Sequence, residues 1–206
     1  MSSLQERSRP FLAPLILGQW PQMSDWAVRS LAVWIIMFSM VYEFRDRKTM
    51  AISFDERDQF RRIRDPTMNW RIWIGRIDAR QWRGKTVHIG TGLFNFESYQ
   101  SKAYLLQDPP MNMQTTTAVF GKLLFHSYYV SPSLPRFKLN PFGNDLAMIW
   151  PPRDAKLAPS GWPARILRDE HAERVAVAIP NIIRALGPDI DLSRPSMDIR
   201  LPGDLA

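Results

Sequence analysis

The longest apolar stretch of the chain runs from Trp26 to Tyr42, WAVRSLAVWIIMFSMVY, and Arg29 is its one charge. Its hydrophobic residues, Trp34, Ile36 and Phe38 among them, surround a helix without leaving the polar stripe that a surface helix shows. Aromatic residues mark both ends, Trp26 on one side and Tyr42 with Phe44 on the other, where amphipathic rings suit a bilayer interface. Arg29 stands four residues after Asp25, within pairing reach on a helix, and its long stem can carry the charge back to the interface. Although slightly short of the ~20 residues that span a bilayer, the run is read as a single membrane helix. The alternative is a buried helix of a soluble domain, because the uncharged part, Ser30 to Tyr42, has the length of a core helix.

Ahead of this helix, a patch from Phe11 to Leu17 is interrupted by Pro14 and ended by Gly18, and is read as an interfacial or re-entrant segment. It lacks the long apolar centre and small-residue cleavage site of a signal peptide. Ser24 is a good N-cap for the helix. Arg7 and Arg9 precede it, whereas Arg45, Arg47, Lys48, Arg57, Arg61 and Arg62 follow it, an asymmetry that places the bulk of the chain in the cytoplasm.

Beyond residue 50 the pattern changes twice. Ser53 to Glu56 forms a capping box opening a short basic helix that ends before Pro66. NWRIWIGRI then alternates, with Trp70, Ile72 and Ile74 on one face and Arg71, Trp73 and Gly75 on the other, as in a strand with both faces partly covered. GKTVHIGTG reads as a second strand, and TTTAVFGKLLFHSYYV as one long or two short strands with Gly121 as a bulge, or, its apolar run being continuous, as a helix. From Val130 to Pro163 frequent prolines forbid long regular elements, and the segment is read as extended, running over a surface and, with the tail, ordered by wrapping a partner subunit. A helix is expected from Pro163, restarted or kinked at Pro180 and closed by Gly187 and Pro188. The tail after that is read as extended.

The expected architecture is α+β: a membrane-associated N-terminal segment and helix over 1–50, an α+β domain over 51–187 whose core is a small, mainly β unit, and a tail over 188–206. The chain of 206 residues has ordinary material for one core. Lys and Arg number 27 against 20 Asp and Glu, which points to an anionic partner such as lipid headgroups, nucleic acid or an acidic protein face. There is no Cys, so thiolate metal sites, Cys nucleophiles and disulfides are excluded.

Three motifs bear on chemistry. Ala79 to Thr86, ARQWRGKT, matches a phosphate-binding loop apart from its first glycine, but VHIGTG after it is strand-like rather than helical, and Trp82 would crowd the cradle. It is read as a strand-connecting turn. His88, His126 and His171 have no flanking carboxylate pattern, so the first two are read as half-buried strand residues and the third as part of a solvated helix face. Arg61, Arg62, Arg64, Arg71, Arg76, Arg80, Arg83 and Lys85 interleave with Trp70, Trp73 and Trp82, a mixture suited to phosphates and stacked bases. The competing reading puts the tryptophans in cores and the arginines against lipid.

No catalytic, cofactor or metal residue is assigned. The expected role is a non-catalytic, membrane-anchored structural subunit of a multiprotein assembly of the transport or secretion type, its partners being other subunits and membrane lipid. The alternatives are a basic nucleic-acid-binding module and an enzyme whose site is not recognised.

Overall fold

The computed structural model describes residues 3–93, 109–152, 165–186 and 196–198. It is α+β, with an N-terminal helix long and apolar enough to cross a membrane, an antiparallel sheet and a C-terminal helix. The helices are α1 (Ser3–Ile16), α2 (Asp25–Tyr42), α3 (Phe54–Ile63) and α4 (Asp169–Leu186). The main strands are β1 (Trp70–Ile77), β2 (Thr86–Thr91), β3 (Met113–Phe120) and β4 (Leu123–Val130); shorter ones are β5 (Arg136–Lys138), β6 (Ala147–Trp150), β7 (Ile166–Leu167) and β8 (Ser196–Asp198). The main sheet runs β2-β3-β4-β1-β6, with β7 joining β1 in parallel, and β5 pairs with β8 separately.

Alternation along the strands divides the sheet into two covered faces. Trp70, Ile72, Ile74, Leu123, Phe125 and Tyr129 share a core with α1 and α2. Trp73, Ile77, Leu124, Tyr128 and Val130 point the other way, into a core closed by α4 and by Phe137, Leu139, Phe142 and Leu146. The expectation that β1 is covered on both faces therefore holds.

The all-round apolarity of α2 has a protein-side cause. Ala27, Val28, Leu31, Ala32, Ile35, Ile36 and Ser39 form the buried stripe, and Ser39 Oγ meets Ser127 Oγ of β4 at 2.8 Å. On a neighbouring side Trp34 and Phe38 pack edge-on against Phe120 and Phe125. A helix covered over most of its circumference lacks a polar stripe whether the cover is lipid or protein. The segments before and after α2 also meet, since Lys122 in the β3–β4 turn donates its backbone N–H to Ile16 O at 2.9 Å.

Several local expectations need correcting. The patch at Phe11 to Leu17 is helical as far as Ile16, because α1 continues through both Pro10 and Pro14. Leu15 is fully buried and the helix packs on α2, so tertiary contact offsets the backbone bonds that proline cannot make. Gly18, at φ +84°, then ends α1: Gly18 N–H bonds Leu15 O and Gln19 N–H bonds Pro14 O, the paired bonds of a left-handed C-terminal cap. Gly121 is not a bulge but the first residue of a two-residue turn between β3 and β4, with φ +56°. The C-terminal helix begins at Asp169 and stays continuous through Pro180, while Ile166–Leu167 is strand. The proline-rich segment forms two short strands, and Phe137, Leu139, Phe142 and Leu146 in it are buried against the chain's own sheet. Its stretch at 153–164, including the expected helix start at Pro163, lies outside the described residues, as does most of the tail. Ser196–Asp198 in that tail is a strand paired with β5.

Candidate functional site

A buried ion pair with its hydrogen bonds lies where α2 ends. Glu43 is completely buried, accepts the backbone N–H of Ala51 at 2.9 Å, and forms an ion pair with Arg57 of α3. Arg57 also donates to Met40 O at 2.7 Å and Ile52 O at 3.2 Å, so one guanidinium satisfies a carbonyl at the end of α2 and another in the link to α3. Glu56 beside it completes the capping box with Ser53 and accepts the Tyr129 hydroxyl at 2.5 Å. Burial, and then the Glu56 carboxylate, push the Tyr129 hydroxyl well above its usual range, which keeps it a protonated donor. A cavity of about 530 Å³ opens here, with Ser53, Glu56, Asn112, Ser131 and Ser133 among its polar lining. None of these residues was singled out as a site in the sequence; the one legible trace was Ser53 and Glu56 at capping-box spacing.

Membrane-helix residues are split by the fold. Ile36 is buried, Trp34 and Phe38 are half-buried in the aromatic cluster, and Trp26 is exposed. Tyr42 donates to Thr86 O at 3.2 Å. Arg29 pairs with Asp65 after α3 rather than with Asp25, its Nε reaching Oδ1 at 2.6 Å. With Glu43–Arg57 at the other end, this bridge fastens α3 antiparallel to α2.

The phosphate-loop match is a turn, as expected. Gly84 takes φ +74° and Thr86 opens β2 rather than a helix. Its amides already hold an anion from the chain: Arg80 N–H and Trp82 N–H donate to the Asp169 carboxylate at 3.1 and 2.9 Å. These backbone bonds hold Asp169 below the usual carboxylate range. Asp169 thereby joins the start of α4 to the β1–β2 loop, a role with no signal in the sequence beyond an acidic residue at a helix start.

The histidines do not converge. His88 lies opposite Thr116 and His126 opposite Thr117 on β3, so adjacent β3 residues send them to opposite faces of the sheet. His88 Nδ1 meets Thr116 Oγ1 at 2.9 Å, and His126 Nδ1 meets Thr117 Oγ1 at 2.8 Å. Burial lowers His88, and pushes His126, packed against Trp73 and Phe142, down to about 3. His126 is fully buried rather than half-buried. His171 is buried too, not solvated: its Nδ1 accepts the N–H of Arg168 at 3.2 Å, and the ring caps the start of α4. Among the described residues, no group of three or more His, Asp or Glu is placed to hold a metal ion.

The basic run is divided by β1. Arg61, Arg62 and Arg64 stand exposed before the strand and Arg80, Arg83 and Lys85 after it, separated by about 25 Å at the usual rise of an eight-residue strand. Arg71 and Arg76 are half-buried on the strand itself. Trp70, Trp73 and Trp82 are all buried, so their rings serve cores, and Lys85 lies over the Trp82 ring at 4.5 Å.

Comparison with protein-family models, with characterised proteins and with solved structures found no match.

Proposed function

We propose that the chain is a non-catalytic structural subunit of a larger multiprotein assembly at a membrane, of the transport or secretion type, and that it works through contacts with other proteins and with lipid. The observation that carries this reading is the set of apolar side chains left uncovered on α2, α3 and their flanks. Trp26, Val41, Phe44, Phe54, Ile63 and Met68 are each more than half exposed. Single exposed apolar residues need no explanation, but six within one segment of two paired helices favour an interface. Around Phe44, whose ring lies 4.6 Å from the Arg57 guanidinium, Arg45, Arg47 and Lys48 are exposed and suit anionic headgroups or an acidic partner.

A spanning α2 would place its two flanks on opposite sides of the bilayer, whereas in the fold Ile16 and Lys122 are bonded. The reading favoured here is therefore a subunit resting on the membrane with α2 in its core. The single-pass arrangement with a cytoplasmic C-terminal domain is the outcome a topology experiment separates from it. With tags at both ends probed by protease in sealed vesicles, both tags should lie on one side, and the protein should stay with membranes in high salt but leave in mild detergent. Tags on opposite sides would establish the single-pass form. Complete release by salt would remove the membrane from the reading.

A further inference from the structure

The cavity beside Glu56 has a size typical of small-molecule sites, about 530 Å³. Glu56 on its wall is a half-buried carboxylate that no Lys, Arg or His approaches within ion-pair distance among the described residues. Arg57, its neighbour in sequence, is committed to Glu43 and to the carbonyls of Met40 and Ile52. Three donors converge on one carboxylate oxygen: Ser53 N–H at 3.4 Å, Ser53 Oγ at 3.1 Å and the Tyr129 hydroxyl at 2.5 Å all bind Oε2. They fix the group while leaving Oε1 without a donor among the described residues. Ser131, which hydrogen-bonds the Tyr129 side chain, also lines the cavity, its Oγ accepting the Ser133 N–H at 3.4 Å and standing 2.9 Å from Ser133 Oγ, and Ala51, Met111 and Pro132 supply apolar wall.

We propose that this cavity binds a small primary alkylamine, with its ammonium on Glu56 Oε1 and its hydrocarbon part on the apolar wall. An ammonium has donors and no acceptor, which suits a carboxylate oxygen that no donor of the described residues occupies. A single carboxylate without a cation favours a monovalent cation over a neutral or anionic ligand, and the apolar wall favours an organic one. The inference is independent of the membrane reading.

The test is calorimetric titration of the purified full chain with n-hexylamine, n-hexanol and hexanoate, which differ only in the head group. The amine should bind at least tenfold more tightly than the alcohol, and hexanoate should not bind. Glu56→Gln retains capping-box geometry, since Gln serves at that position as Glu does, and should weaken the amine at least tenfold while leaving the alcohol unchanged. Asp58→Asn, an exposed carboxylate two residues away, should leave amine binding unchanged. Equal binding of amine and alcohol, no binding of the amine, or an amine affinity insensitive to Glu56→Gln would overturn the assignment. If Glu56→Gln fails to fold, the comparison of amine with alcohol on the natural chain decides the matter.

Discussion

Between about pH 6.5 and pH 3 the imidazole of His126 stays neutral in the folded chain, because burial lowers it to about 3, while in the unfolded chain it takes up a proton near 6.5. The unfolded state then binds more protons, so the stability contributed by a neutral His126 is complete above pH 6.5 and is lost as pH falls through that window. The loss approaches about 1.4 kcal/mol per pH unit within it. His88, lowered by its own burial, acts in the same direction. Urea melts at pH 7, 6, 5 and 4 should show the midpoint falling, and His126→Phe, which cannot titrate, should flatten the decline. A second residue-scale expectation concerns Arg57, whose removal leaves the buried Glu43 carboxylate without its cation. Arg57→Met should cost about 3 to 5 kcal/mol, measured by denaturant unfolding, and substituting Glu43→Leu in the same chain should recover part of the loss. Neither role was legible in the sequence, since depth of burial and a partner fourteen positions away are products of the fold.

At the scale of elements, what was legible rested on local chemistry. The capping box of Ser53 and Glu56, the alternation of β1 and the Ser24 cap all correspond to bonds or faces in the structure. What was not legible depended on tertiary cover. The prolines of α1 read as breaks because the packing of Leu15 and its neighbours on α2 could not be seen, and α2 itself reads alike for lipid and for a protein sandwich. Gly121 shows both sides: its need for a left-handed turn was not distinguished from a bulge, and the nearness of the Ile16 carbonyl had no sequence signal. A Cβ there meets that carbonyl, and φ +56° is strained for any other residue, so Gly121→Ala should destabilise the protein by about 1 to 3 kcal/mol. The melting temperature should drop by several degrees, whereas Gly84→Ala, which has open space but φ +74°, should show the strain cost alone.

For the whole molecule, the sheet is enclosed between α1 with α2 on one side and α4 with the 137–146 segment on the other. The proline-rich segment expected to await a partner instead closes part of the chain's own core. The apolar surface available for partners lies elsewhere, on α2, α3 and their flanks, and it became visible only once burial separated used from unused hydrophobic residues along the Trp26–Tyr42 run. Val41→Ser with Phe54→Ser removes the two most exposed of these six without touching the core, because both side chains are more than half exposed. Folding stability should change by no more than about 0.5 kcal/mol, as for ordinary surface positions. The most direct measurement is the native mass of the protein extracted from its source membranes in mild detergent, compared between the natural chain and this double variant. The natural chain should run with other proteins at a mass well above its own 23.9 kDa, and the variant should shift toward the free chain. A natural chain that runs alone, or a double variant that keeps every partner, would contradict the account.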